Sequence, residues 1–215
     1  VTNVPDQSGL GVRVNQVRRS FDAFLTSNLR DTNGDFERLD TYVDKLNKLE
    51  NMLLPSDSDL GTFIGRFFSS LQDVASRPDE LSARTVALEN GKALANSFNN
   101  YDNQLKNLKS STHKEVEDDL KVVNSLVDQL AQVNKLIMSG GSKNSSPDIL
   151  DARDQLLLDL SKYINFTVDY GESDDAIVRL GNSGNGKILL KKTDKSVLTS
   201  SIQEGRLIFN ISRNA

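Results

Sequence analysis

Apolar residues follow two different periods along this chain, and the change from one to the other divides it. From Val17 through Phe21, Phe24, Leu25 and Leu29 they recur at three- and four-residue steps, which is one face of a helix. Leu39, Tyr42, Leu46, Leu49 and Leu53 continue the stepping as a heptad seam flanked by charge, and such a seam predicts packing against another helix. Gly34, inside DTNGD at 31–35, costs about 1 kcal/mol relative to alanine in a helix, so a kink or a plain continuation is expected there. Pro55 ends the helix. The Ser-Asp run at 56–59 caps a second helix that carries Leu60, Ile64, Phe67, Leu71 and Val74 on one side. The short link predicts that these two helices are antiparallel neighbours.

After Arg77, Pro78 and Asp79 no proline occurs until Pro147, which permits a very long helix. Ala87, Leu94, Phe98, Tyr101, Leu105 and Leu108 keep a heptad phase, weakened at its start by Arg84 and Gly91. The phase passes through Thr112, Val116 and Leu120 in four-residue steps, like a stutter, and resumes at Val123, Val127 and Leu130. Unbroken, roughly sixty residues make a rod of about 90 Å. The polar stretch KSSTHKEVEDD at 109–119 either breaks this helix or leaves it exposed, and continuity is the favoured expectation.

MSGGSKNSS at 138–146 carries the glycines of a helix stop. Next, Ser146 is placed to cap with its hydroxyl, Pro147 suits the first helical position and Asp148 suits the positive end of the helix dipole. Ile149, Arg153, Leu156, Leu157 and Leu160 then form one stripe, the arginine stem lying along it. From about residue 165 short β-prone runs take over, at Phe166 and Val168, Ile177 and Val178, Ile188–Leu190, Val197 and Leu198, and Leu207–Ile211. Turn sequences GESDD, GNSGNG and QEG separate them. The expected fold is mainly α, an elongated bundle of long antiparallel helices with coiled-coil-like seams followed by a small, partial β domain. Its expected divisions are an extended arm at 1–18, a helical rod at 19–164 and a β-rich part at 165–215.

Composition narrows the function. A formal charge of -4 and a pI near 5.1 leave no basic footprint for nucleic acid or an anionic membrane. The chain has no cysteine, so disulfides, thiol catalysis and cysteine-ligated zinc are excluded. No apolar run approaches the eighteen residues of a membrane span. Gly181–Lys187 has the spacing of a phosphate loop, but Ile188 follows where serine or threonine is needed, and a strand follows where a helix is needed. A hairpin turn fits better. DTNGD lacks the calcium-loop glutamate, Tyr42 standing in its place, and His113 alone cannot build a zinc site. Asp148, Asp151, Arg153 and Asp154 form the densest charge cluster, and without a nearby nucleophile they read as ion pairs between or along helices. No cofactor or metal is expected, and catalysis has no positive support in these residues.

Three ordered motifs, GLGVRVNQVRRSFDAFL at 9–25, FFSSLQDVASRP at 67–78 and SPDILDARDQLLLDLS at 146–161, resemble the flagellar hook-associated protein 1 family. The resemblance covers residues 9 to about 165, and the family-motif residues in its third part are Pro147, Asp148, Leu150, Asp151, Arg153, Asp154 and Leu156. It implies a non-catalytic adaptor in the bacterial flagellum, exported through the flagellar secretion apparatus and assembled extracellularly as a ring between hook and filament. The implied partners are the hook protein, the second junction protein, further copies of itself and a cytoplasmic export chaperone. The family's polymerising N-terminal helix and C-terminal helices have no counterpart in this sequence. The latter are the expected cover for Leu39, Tyr42, Leu46, Leu49 and Leu53, and for Phe98, Leu105 and Leu130. The alternative readings within the same class are flagellin, which the opening motif disfavours, and the third hook-associated protein. Without any family, the same seams suit a coiled-coil binding or adhesion module.

Overall fold

The computed structural model describes residues 23–53, 59–140 and 146–213. The arm at 1–18, the helix start from Val17 to Phe21, Pro55 and most of the Ser-Asp run, and the glycine-rich stop after Gly140 lie outside them. Four helices, α1 (Ala23–Leu53), α2 (Leu60–Ser76), α3 (Leu81–Gly140) and α4 (Pro147–Ser161), precede five strands. These are β1 (Phe166–Tyr170), β2 (Ala176–Leu180), β3 (Ile188–Lys191), β4 (Asp194–Gln203) and β5 (Arg206–Arg213), an antiparallel meander in chain order.

α3 is the spine, continuous for 60 residues and so about 90 Å long. Its first half carries α2. Asp59 caps α2 by accepting from the Thr62 N–H. Arg84, which interrupts the heptad pattern, locks the tight turn into α3 by donating from Nε to the Pro78 carbonyl at 2.9 Å. Small residues then set the helix spacing. Ala83, Ala87 and Ser97 are buried, and at Gly91 a Cβ would lie 3.2 Å from the Phe67 ring, so the aromatic ring fills the space a side chain would take. The expected pairing of α1 with α2 is therefore corrected. α2 folds straight back on α3, and α1 packs chiefly on α4.

α1 stays helical through DTNGD, where Gly34 is a contact point. A Cβ there would sit 2.8 Å from the Ser161 carbonyl oxygen at the end of α4, and the neighbouring Asn33 donates from Nδ2 to Ser161 Oγ at 3.2 Å.

The second half of α3 lies between α4 and the sheet. Leu120, Val123, Val127, Leu130 and Ala131 meet Leu157 and Leu160 of α4 and Phe166, Val178, Leu189, Leu190 and Leu198 of the sheet in one core. Each such side chain contributes roughly 1.5–3 kcal/mol of burial. Leu130 is thus covered by this chain's own sheet and not, as expected, by helices from elsewhere. The turns follow the sequence reading: Gly181 and Gly184 take positive φ between β2 and β3, and a Cβ at Gly186 would lie 1.6 Å from the Leu180 carbonyl oxygen. Glu204 and Gly205, both at positive φ, make the two-residue turn that sends β5 back along β4 in full register.

Candidate functional site

The joint between helices and sheet is built from three polar side chains, two buried and one half-buried. Asn134 is fully buried on α3, one turn past Leu130. Its Nδ2 donates to the carbonyls of Ala176 at 2.8 Å and Lys192 at 2.9 Å, and its Oδ1 accepts from the Ala176 N–H at 2.9 Å. Ten residues earlier Asn124 does the same to Leu198, donating to its carbonyl at 2.8 Å and accepting from its N–H at 2.9 Å. A side-chain amide has one donor and one acceptor side, like a peptide group. Each asparagine therefore pairs with a strand as a short neighbouring strand does, and satisfies backbone groups where the ladder stops.

Arg153 is the third member, 1% exposed although charged. Nε donates to Asp154 at 3.0 Å, Nη1 donates to the Asp174 carbonyl at 2.8 Å, and the guanidinium lies 4.5 Å over the Tyr170 ring. Asp174 has φ 65°, so the arginine holds the strained β1–β2 turn onto α4. Of the charge cluster on α4, Arg153, paired with Asp154, thus joins the helix to the sheet turn. Ser146 departs from its expected role: its side chain makes no cap bond, and its backbone carbonyl accepts from Ile149 and Leu150 instead. Pro147 and Leu150 are half-buried, Asp148 and Asp151 face outward, and Leu156 packs at the margin of the core.

The seam residues of α1 have a different fate. Leu39, Tyr42 and Leu46 are 51%, 61% and 44% exposed, joined by Phe24, Leu25, Leu29, Phe36 and Val43, while Leu49 is half-buried. The Leu53 side chain lies outside the described residues. Phe98 and Leu105 on α3 are also exposed, because α2 begins at Leu60 and covers α3 only as far as about Ser97. Ion pairs run along these surfaces, among them Lys48 with Asp44 at 2.8 Å and Lys45 with Glu115 across α1 and α3. At the end of α4, the hydrogen bond from Lys162 holds the Asp159 carboxyl below its usual range. On α3, burial first, then the Glu115 and Asp118 charges, push the Asp119 carboxyl up. Among the described residues no group of histidine, cysteine, aspartate or glutamate side chains could hold a metal ion, and no helix is long and apolar enough to cross a membrane. The arrangement offers long apolar faces and a rigid joint.

A family model described as the flagellar hook-associated protein FlgK helical domain matches residues 46–208, from the exposed end of α1 through the joint and into β5. The chain belongs to that family. It is 31% identical over 163 residues to flagellar hook-associated protein 1 of Salmonella typhimurium, an alignment covering 74% of this chain and 30% of the relative. It is 33% identical over 169 residues to the Bacillus subtilis protein of that name, covering 78% and 33%. The solved structure of the flagellar hook junction protein FlgK from Burkholderia pseudomallei superposes with a TM-score of 0.77 at 25% identity, over 87% of this chain and 34% of that one. The chain therefore spans about a third of the length of the relatives it matches. FlgK-family membership accounts for the long helix, the α2 hairpin and the small sheet together.

Proposed function

We propose that this chain is the helical rod, with part of an outward β unit, of a non-catalytic flagellar subunit that joins hook to filament. The observation that carries the reading is the apolar row on α1, Leu39, Tyr42 and Leu46 with Phe36 and Val43, left in water by every described element of a chain belonging to the FlgK family. A row of that length is built for other helices. On this reading helices elsewhere in the full-length polypeptide cover it, subunits close into a ring outside the cell, and the hook protein and second junction protein are the neighbours. Export passes through the flagellar secretion apparatus with a cytoplasmic chaperone. Long helices in side-by-side contact transmit load, and the joint at Asn124, Asn134 and Arg153 keeps the sheet from swinging on its rod.

The experiment places Leu39→Asp with Leu46→Asp in the full-length protein, in cells lacking the native copy, and scores filament bases by electron microscopy. The variant is expected to be exported and to leave hooks without filaments. Normal filaments on normal hooks would count against the α1 face as an assembly surface, and normal filaments on deletion of the whole gene would remove the junction reading.

A further inference from the structure

Two clefts adjoin where α1, α3, the end of α4 and the β4–β5 hairpin meet, sharing Asp119, Tyr163, Ile164 and Asn165 as a common wall. One, of about 620 Å³, opens toward Gly34–Thr41 of α1. The other, of about 380 Å³, lies under the hairpin between Leu120 and Val123 of α3 and Ile164, Leu180 and Leu198, with exposed Phe209 at its lip. The hairpin forms a roof because it runs back along α3. The strand from Leu198 to Gln203 spans about 17 Å and the Glu204–Gly205 turn extends it, alongside the helix from Asn124 to Lys109, about 22 Å. At that far end a Cβ on Gly205 would lie 3.5 Å from Lys109 Nζ.

The charge at the common wall is one-sided. Among the described residues Asp119 has no hydrogen bond or ion pair, while the cations around it are engaged: Lys45 with Glu115, Lys162 with Asp159 and Arg38 with Asp35. Glu37 lines the same cleft. A carboxylate beside an apolar hollow and among like charges is the complement of a cation on an aliphatic stem, and it repels an acidic occupant. The raised carboxyl of Asp119 has the same cause.

We infer that the cleft under the β4–β5 hairpin is a docking site for a partner-protein segment that inserts an aliphatic side chain between Leu180, Leu198 and Phe209 and sets an adjoining lysine or arginine on Asp119. Aliphatic insertion supplies the burial and the basic residue supplies the choice of partner. The inference does not rest on the junction reading, since the binding is measured on this chain alone in solution.

The probes are three acetylated and amidated seven-residue peptides, identical except for the residue between two leucines, which is lysine, glutamine or glutamate. They are titrated into the isotopically labelled chain and followed by amide chemical shifts. The lysine peptide is expected to shift Asp119, Ile164 and Leu198 saturably, about five-fold tighter than the glutamine peptide, with glutamate weakest. Asp119→Asn should bring lysine and glutamine to equality, and Phe209→Ala should weaken all three; both positions are exposed, and circular dichroism checks that each variant keeps its fold. Equal binding of the glutamate and lysine peptides, a lysine preference that survives in Asp119→Asn, or shifts scattered away from the cleft would each overturn the inference.

Discussion

Two stretches of α3 have the same kind of sequence and different surroundings. From Leu120 to Ile137 the helix is enclosed by α4 and the sheet, and the polar residues on its inner face, Asn124 and Asn134, are each bonded to strand backbone. From Phe98 to Glu115 the seam is only partly covered, Phe98 and Leu105 exposed and Tyr101 and Leu108 half-buried, and the seam of α1 faces water at Leu39, Tyr42 and Leu46. Apolar periodicity states that a face will be covered and does not state by what. The enclosed stretch finds its cover within the chain. The open stretch, with α1, offers apolar area that adds little to the chain's own stability.

Substitutions can break that contrast, and the largest effect is expected at Arg153. Removing a buried guanidinium that pairs with Asp154, holds the Asp174 turn and lies on Tyr170 should cost about 3–5 kcal/mol in urea unfolding of Arg153→Ala. Unchanged stability would mean the joint is ornamental. Asn134→Ala strands the Ala176 N–H and two carbonyls in the core and should cost about 2–4 kcal/mol. Asn124→Ala, at a half-buried position, should cost about 1–2 kcal/mol and loosen the hairpin, read as faster amide exchange at Leu198 and in the strand beyond it.

Polar replacement on the open face of α1, Leu39→Ser or Leu46→Ser, should change the stability of this chain by less than about 0.5 kcal/mol. A loss comparable with that of Asn124→Ala would show that α1 is covered after all. Smallest are the titrations. Asp159 has a lowered folded-state pKa from its bond to Lys162, so its contribution is present above the unfolded value of 3.8 and lost as pH falls through the folded value. Asp119 is raised, so its charge opposes the fold as pH climbs through the folded value. Asp119→Asn should therefore be slightly stabilising at pH 7 and neutral below about pH 3.8, a difference reduced by solvent screening.

Much of this was legible in the residues because local rules decide it. Absence of proline from Asp79 to Pro147 permits α3, and Gly181, Gly184 and Gly205 mark turns that need positive φ. Choice of partner was less legible. The α2 stripe does not say whether α1 or α3 will receive it; the deciding feature is the small-residue face Ala83, Ala87 and Gly91, which in sequence looks like a weak seam. Gly34 looks like a defect in α1 until Ser161, far along the chain, is brought against it. In the joint, Arg153 stood out as a charge on an aliphatic stripe, whereas Asn124 and Asn134 did not. Asn134 did leave a trace: it falls on the next four-residue step after Val123, Val127 and Leu130, where an apolar residue was due. Its partners in the sheet and its turn are 42 and 58 residues away, beyond the reach of periodicity.

Amide hydrogen exchange on this chain tests the central claim most directly. A self-covered end and an open face predict slow exchange through Leu120–Ile137, α4 and β2–β4, with α1 from Phe24 to Leu46 exchanging orders of magnitude faster. Protection of α1 equal to that of the Leu120–Ile137 core would contradict the account.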